Sequence, residues 1–247
     1  MSESYNNKTV FITGSSRGIG ASTAIEFAKN NYNVILNCVN NTEKANKLAK
    51  ELEKEYKINT LVLPFDVSKE NEILEAIKKA YEVFNTIDVL VNNAGIAIDT
   101  TIEDKTAEIF RKTLDVNLVG TFLMCKHIGK KMYEEKKGSI INVSSTNSID
   151  SFYPYSIDYD ASKAGINILT HDFAQEYRPY VRVNTIAPGW VNTEMNKELD
   201  QEYIEEECKH ILLNRFAEPE EIAKEIYHIA ESSYLNDSII KVDGGRY

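Results

Sequence analysis

The chain has 247 residues, 43% of them hydrophobic, with 38 acidic side chains against 28 basic ones and a net charge of −10. That length and apolar content suffice for a sizeable core, and the acidity argues against nucleic acid or an anionic membrane surface as partner. Residues 1–8 lack the apolar centre of a secretion signal, and no run approaches the roughly 18 apolar residues of a membrane span, so a cytoplasmic protein is expected. Cys38, Cys125 and Cys208 are odd in number, far apart and free of any CxxC pattern, as befits free thiols in a reducing compartment. His127, His171, His210 and His228 form no HxH or HExxH pattern, so no metal site is expected.

The first apolar run, Val10-Phe11-Ile12, ends at Thr13-Gly14-Ser15-Ser16-Arg17-Gly18-Ile19-Gly20, and a helix follows. This order puts backbone N–H groups and a helix N-terminus where a pyrophosphate can sit, and the glycines allow close approach. The spacing is G-x3-G-x-G, not the commoner G-x-G-x-x-G. Strands are predicted near 8–13, 33–38, 59–65, 87–91, 138–143, 180–186 and 238–242. Helices are predicted over 20–30, 42–56, 69–84, 106–136, 158–178 and 218–231. Wholly apolar runs such as Val89-Leu90-Val91 suit strands covered on both faces. Ser68 reads as a helix N-cap, Gly138 as the terminator of the fourth helix, and Pro219-Glu220-Glu221 as a proline-plus-acid first turn. Regular alternation without repeat or linker predicts one α/β domain over 1–247, a doubly wound parallel sheet of about seven strands with helices on both faces. The least regular stretch, 189–213, carries Trp190, Met195 and an acidic run, and leaves the carboxyl end of the sixth strand, where ligands bind in open sheets. It reads as a substrate lid or as a surface helical pair.

Tyr159 and Lys163 lie four apart on a predicted helix and so share a face. An ammonium beside a phenol favours the phenolate, making the tyrosine a usable proton donor and acceptor. Tyr133 and Lys137 repeat the spacing in a charged stretch that reads as a solvated helix end. Ser144 and Ser145 close the fifth strand, where a hydroxyl can either form a turn or hydrogen-bond a substrate carbonyl oxygen. Asn117, among apolar neighbours, reads as a satisfied buried amide or as a residue that positions water.

Thr13-Gly14-x3-Gly18-Ile19-Gly20, Asp66-Val67, Asn92-Asn93-Ala94-Gly95, Asn117, the serine pair, Tyr159-x3-Lys163, Pro188-Gly189 with Thr193, and Val242-Asp243-Gly244-Gly245 occur in the order seen in short-chain dehydrogenases/reductases. The resemblance spans essentially residues 8–245. It implies a Rossmann-type domain with Tyr159 as catalytic acid/base and Lys163 lowering its pKa and bonding the nicotinamide ribose. Ser145 would polarise the carbonyl, although it lies one residue further from Tyr159 than the family's usual spacing, and Ser144 is its rival. Asn117 would hold a water in the proton relay. The glycine turn, residues Gly14, Ser15, Ser16, Arg17, Gly18, Ile19 and Gly20, would take the pyrophosphate. Asp66 and Val67 would flank the adenine, and Asn93, Ala94 and Gly95 would pack along the cofactor. Pro188, Gly189, Val191 and Thr193 would line the nicotinamide.

NAD-binding members tend to end the second strand on an acid that bonds the ribose hydroxyls. Here that place is Cys38, and Arg17 can pair with a 2′-phosphate, so NADP(H) is expected over NAD(H). Arg17 reads otherwise as an exposed helix-start arginine. Among family members the chain most resembles the 3-oxoacyl-[acyl-carrier-protein] reductases, through 33–37, Arg215-Phe216-Ala217-Glu218-Pro219-Glu220-Glu221-Ile222-Ala223 and the C-terminal Val-Asp-Gly-Gly. That resemblance implies reduction of a 3-oxoacyl thioester in fatty acid biosynthesis, with Lys130, Lys131, Lys136 and Lys137 as a candidate patch for the acidic carrier protein. The chain departs from it at Ala97-Ile98-Asp99 and in loop 148–157, whose Phe152, Tyr153, Pro154 and Tyr155 suggest, with Trp190, an enclosed apolar pocket or plain packing. A reductase of another ketone, sugar or alcohol and a non-catalytic NADP-binding regulator are the alternatives. The resemblance also implies a homotetramer, with Phe122, Leu123, Met124, Ile166, Ile168 and Leu169 offering apolar helix surface.

Overall fold

The computed structural model describes residues 7–151, 153–196 and 199–247, the Met195 side chain excepted. Phe152 and the side chain of Met195 thus lie outside the described residues. Seven strands form one parallel sheet: β1 (Thr9–Ile12), β2 (Asn33–Cys38), β3 (Thr60–Pro64), β4 (Val89–Asn92), β5 (Gly138–Val143), β6 (Val181–Pro188) and β7 (Ile239–Val242). Their order is β3-β2-β1-β4-β5-β6-β7, so the winding reverses between β1 and β4. The helices are α1 (Gly18–Lys29), α2 (Thr42–Tyr56), α3 (Glu70–Phe84), α4 (Ala107–Leu114), α5 (Gly120–Glu134), α6 (Ile157–Glu176), α7 (Gln201–Lys209) and α8 (Pro219–Glu231).

Apolar side chains alternate along each central strand and feed two separate cores. Val10, Ile12, Val34, Leu36 and Val91 pack against Phe27, Leu52, Ile222 and Ile226 of α1, α2 and α8. Phe11, Ile35, Leu90 and Ile140 pack against Ile73, Met124, Ile128 and Phe173 of α3, α5 and α6. The register sets Phe11 beside Ile35 on one side and Leu90 on the other, so each face is continuous across the reversal. The fold is therefore an α/β Rossmann-type sheet with helices on both faces.

Three local expectations need correction. Ser68 is not the cap of α3: the N-cap is Lys69, and Ser68 turns back to donate from both its N–H and its hydroxyl to Asp66 Oδ1 (2.9 and 2.8 Å). Gly138 does not end α5. Lys136 takes the left-handed conformation (φ 58°), and the Lys137 N–H closes the turn on the Met132 carbonyl, leaving Gly138 to open β5. The stretch expected as one helix over 106–136 is α4 and α5 joined by a wider π-helical turn, Asp115–Val119. The cause is Asn117, whose amide is pulled sideways onto the backbone of Ile96, while Thr121 Oγ1 donates to the Asn117 carbonyl (2.7 Å).

A buried ion pair ties the loop after β4 to the start of α6. Lys105 Nζ donates to Asp158 Oδ1 (2.9 Å) and to the Ile98 carbonyl, and Thr113 donates to Asp158 Oδ2 (2.6 Å). Both charged side chains are almost wholly buried. Burial pushes the Asp158 carboxyl up, but the hydrogen bonds from Thr113 and Lys105 more than offset it and leave the group below its ordinary value. Its stabilising contribution is therefore present above the usual carboxylate range and is lost as pH falls below it. Lys105→Met strands the carboxylate and is expected to lower the unfolding free energy by about 3–5 kcal/mol in urea titrations at pH 7. A loss indistinguishable from zero would show that the pair contributes nothing.

Candidate active site

A cleft of about 490 Å³ opens along the carboxyl ends of the strands, centred on the β1/β4 reversal. At one end stands the turn between β1 and α1. Gly14 and Gly18 have positive φ (63° and 54°), and a Cβ at Gly14 would lie 2.9 Å from the Ala94 Cα. Arg17 is the N-cap of α1 but provides no side-chain cap, and the first turn holds no acid. The first N–H groups of α1 thus face the cleft without a side-chain acceptor, the arrangement that suits a pyrophosphate. Gly14, Ser16, Arg17, Gly18 and Ile19 line this end.

Ser15 and Gly20, expected at the cofactor, do not line the cleft. Ser15 is buried, and its Oγ accepts from the Asn37 N–H (3.0 Å). A Cβ on Gly20 would fall 2.4 Å from the Gly14 carbonyl and 2.6 Å from Asn93 Nδ2, so Gly20 lets α1 sit against its own turn. Two residues to which the sequence reading gave no role of their own, Asn37 and the Thr13 that opens the glycine motif, hold that turn. Asn37 Oδ1 accepts from the Gly14 N–H (3.0 Å), and its Nδ2 donates to the Phe65 carbonyl (3.0 Å). Thr13 Oγ1 accepts from the N–H groups of both Asn93 and Ala94 (3.0 Å each), while Asn93 Nδ2 donates to the carbonyls of Thr13 and Gly14. The available signal was a polar residue at the end of an otherwise apolar buried strand.

Cys38, Asp66 and Val67 line the cleft beyond β2 and β3, and Asn93, Ala94 and Gly95 line its floor after β4. Pro188, Gly189, Val191 and Thr193 line the wall that follows β6. These are dinucleotide-sized surroundings: a glycine-built turn, a neutral β2 terminus and a run of backbone along the floor.

At the other end Ser145, Tyr159 and Lys163 line the cleft together. Ser145 Oγ accepts from the Asn147 N–H (3.2 Å), and its hydroxyl stands by the Tyr159 phenol, where it favours the phenolate. Ser144 points inward, donating to the Lys163 carbonyl (2.9 Å), with its Oγ 3.0 Å from Ser148 Oγ. Lys163 Nζ lies 5.4 Å from the Tyr159 ring centre and donates to the Val143 carbonyl (2.7 Å). Burial pushes Tyr159 up to about 12, against the Ser145 hydrogen bond, and pushes Lys163 down to about 8. Burial is the first cause of both shifts, and it raises the phenol by more than its neighbours lower it. Asn117 is fully buried and does not line the cleft: its Oδ1 accepts from the Ile96 N–H (2.8 Å) and its Nδ2 donates to the Ile96 carbonyl (2.9 Å) and Ser162 Oγ (3.0 Å). Its side chain braces the loop after β4.

Trp190, Tyr153 and Tyr155 are not among the residues that line this cleft. The Trp190 indole stacks on Phe216 (5.3 Å between ring centres), meets Tyr153 and Tyr203 edge-on, and donates from Nε1 to Glu207 Oε2 (2.7 Å). The aromatic set is packing between the 189–213 segment and its neighbours. Among the described residues no cluster of His, Cys, Asp and Glu could hold a metal ion, and no helix is long and apolar enough to cross a membrane.

A crevice at the switch point of a parallel sheet, with a glycine turn at one end and a Ser-Tyr-Lys set at the other, is an arrangement that suits a dinucleotide cofactor and proton-transfer chemistry. Residues 8–204 match the short chain dehydrogenase family, and the chain belongs to it. It is 36% identical to the 3-oxoacyl-[acyl-carrier-protein] reductase FabG of Thermotoga maritima over 242 residues, 96% of this chain and 97% of that one. It is 34% identical to glucose 1-dehydrogenase 2 of Bacillus subtilis over 251 residues, 99% of this chain and 96% of that one. Among solved structures, a 3-oxoacyl-[acyl-carrier protein] reductase from Brucella melitensis with bound NAD superimposes with a TM-score of 0.89 at 29% identity, covering 99% of this chain and 92% of that chain. ElxO with NADP bound gives a TM-score of 0.89 at 32% identity, covering 97% of this chain and 98% of that chain.

The depressed Lys163 makes a checkable claim about stability. Its charged form is disfavoured in the fold, so at neutral pH the buried ammonium costs on the order of 3 kcal/mol. Between about pH 8 and 10.5 the unfolded chain binds the extra proton, so wild-type stability rises with pH across that window. Lys163→Met is expected to unfold at higher urea than wild type at pH 7, with a gap that narrows by pH 10. A variant less stable than wild type at both pH values would contradict a buried, strained ammonium.

Proposed function

We propose that the chain is an NADPH-dependent carbonyl reductase whose best-supported substrate is a 3-oxoacyl thioester carried on acyl carrier protein. The observation that carries the reading is the Ser145–Tyr159 hydroxyl pair facing the cleft, with Lys163 beside it. When bound, the nicotinamide supplies the hydride. Ser145 donates a hydrogen bond to the substrate carbonyl oxygen and holds the charge that gathers there. Tyr159 delivers its phenolic proton to the same oxygen, leaving the alcohol. Lys163 supports the phenolate left behind, and the braced Ile96–Asn117 contact keeps the floor of the site in register. Residues 189–213 serve as the lid over the substrate.

Tyr159 sits near 12 and is protonated at neutral pH, the form that reduction consumes. The reverse oxidation needs the phenolate, so its rate is expected to climb steadily from pH 7 to pH 10 while reduction does not. A flat oxidation profile over that range would contradict Tyr159 as the base.

NADP(H) is favoured because β2 ends on neutral Cys38 and Arg17 stands at the same end of the cleft. The carrier-protein reading rests on the similarity to the 3-oxoacyl reductases, whereas the similarity to a glucose dehydrogenase favours a small carbonyl or sugar as the second reading. The lysine patch is less free than its sequence suggests: Lys137 bonds Asp88 (2.8 Å), and Lys131 lies 3.7 Å from Glu134. A homotetramer through α5 and α6 is proposed on Phe122 and Ile168, which point outward, whereas Leu123, Met124 and Ile166 are core residues.

Oxidation of NADPH, followed by absorbance with an acetoacetyl thioester and a panel of ketones and sugars, tests the substrate. Fast thioester turnover is expected; turnover of a sugar or simple ketone alone would replace the first reading with the second. Tyr159→Phe is expected to lower kcat by about 10²–10⁴ with cofactor binding intact, and Ser145→Ala by about 10² or more. Ser144→Ala should act chiefly on stability, and a kcat loss equal to that of Ser145→Ala would reverse the assignment of the two serines.

A further inference from the structure

At the mouth of the cleft a single carboxylate bridges two cations from different elements. Glu194 follows Thr193 at the root of the 189–213 segment. Its Oε2 accepts from Arg17 Nη1 (3.2 Å) and its Oε1 from Lys44 Nζ (3.3 Å). Arg17 stands in the glycine turn, and Lys44 in the first turn of α2, just beyond the end of β2. Arg17, Glu194 and the β2 exit from Cys38 to Asn41 line this end of the cleft.

The end of β2 is where Rossmann-type folds read the ribose 2′ position, with an acid for a hydroxyl and a cation for a phosphate. Val39 and Asn40 are neutral, and the helix beyond them provides Lys44 as a second cation that lies close in space to Arg17. On the NADP(H) reading the 2′-phosphate falls between Arg17 and Lys44; we propose that Glu194 is a built-in competitor for that place, and that a bound 2′-phosphate displaces Glu194 and loosens the root of the 189–213 segment.

The exchange is physically easy. More than half of the Arg17 and Lys44 side-chain surface is open to solvent, and exposed pairs of this kind are weak. A phosphomonoester brings about 1.5–2 negative charges and three acceptor oxygens against the single charge of a carboxylate. A dinucleotide without the 2′-phosphate offers nothing to the two cations and leaves Glu194 where it is. Cofactor choice and the position of that segment are thereby linked: the phosphorylated cofactor alone breaks the contact between its root and the glycine turn. Trp190, the sole tryptophan, reports on that root. It lies four residues before Glu194, its indole is held to Glu207 of α7, and Asn196 Nδ2 donates back to the neighbouring Val191 carbonyl (2.9 Å).

The proposal rests on the NADP(H) reading, and the test separates the two. Adenosine 2′,5′-bisphosphate and adenosine 5′-monophosphate are titrated into the full chain by calorimetry, with Trp190 emission recorded in parallel. Wild type is expected to bind the bisphosphate more tightly, and only the bisphosphate should change the emission. Glu194→Gln is expected to raise bisphosphate affinity about fivefold or more, and Lys44→Gln to lower it about tenfold, both with the monophosphate unchanged. If wild type prefers the bisphosphate but Glu194→Gln leaves its affinity unchanged, or raises both ligands equally, the competitor is overturned and the cofactor reading stands. If wild type shows no preference, the NADP(H) reading falls and the proposal falls with it.

Discussion

A parallel sheet delivers every strand to the same edge, and each strand end there leaves backbone groups that need partners. Over most of this sheet, the crossover connections supply them. Between β1 and β4 the winding reverses, so the segments that follow these two strands lead to helices on opposite faces, and side chains help to bridge the crevice between them. Thr13, Asn37 and Asn93 tie the ends of β1, β2 and β4 to one another with five hydrogen bonds of 2.9–3.0 Å to backbone groups of 13–14 and 93–94. Because those three close the gap from below, the glycine turn is held open above, with the uncapped start of α1 aimed into it. The crevice is the consequence of sheet topology, and its rigidity is the consequence of three polar side chains.

The chemical end of the cleft is built against the folding tendency of its own residues. A lysine is buried and driven down to about 8, a tyrosine is buried and driven up to about 12, and each would be more comfortable in water. They are held by surrounding order: Asp158, next to the tyrosine, is anchored by Lys105 and Thr113, and the π-helical turn at Asn117 grips Ile96 from the other side. Burial keeps the phenol protonated at neutral pH.

Much of this was legible in the amino-acid order. Each of the seven strands lies within two residues of its expected place, and the central ones are buried enough to leave unbroken apolar runs such as Phe11-Ile12 and Leu90-Val91. Ser145, Tyr159 and Lys163 were found together because motif order constrains three-dimensional neighbours. What stayed hidden depended on contacts far apart in sequence. The break between α4 and α5 comes from a side chain reaching across to Ile96, and nothing local to 115–119 announces it. The Lys105–Asp158 pair and the Arg17–Glu194–Lys44 bridge join residues 53, 177 and 150 positions apart, beyond any periodicity. Spacing gives the proximity of Tyr159 and Lys163 on a helix but says nothing of the burial that dominates both groups. Trp190, suggestive of an apolar pocket, turned out to be stacked on Phe216 instead.

The central claim is that this cleft delivers a hydride to a carbonyl carbon and a tyrosine proton to its oxygen. The most direct measurement is the fate of deuterium from NADPH deuterated at the transferable C4 position, followed by NMR of the product formed from an acetoacetyl thioester. Deuterium at the carbinol carbon is expected with the wild-type chain, and none in the same interval with Tyr159→Phe, although that variant still binds the cofactor. Unlabelled alcohol from the wild type, or equal labelling by both proteins, would contradict the account.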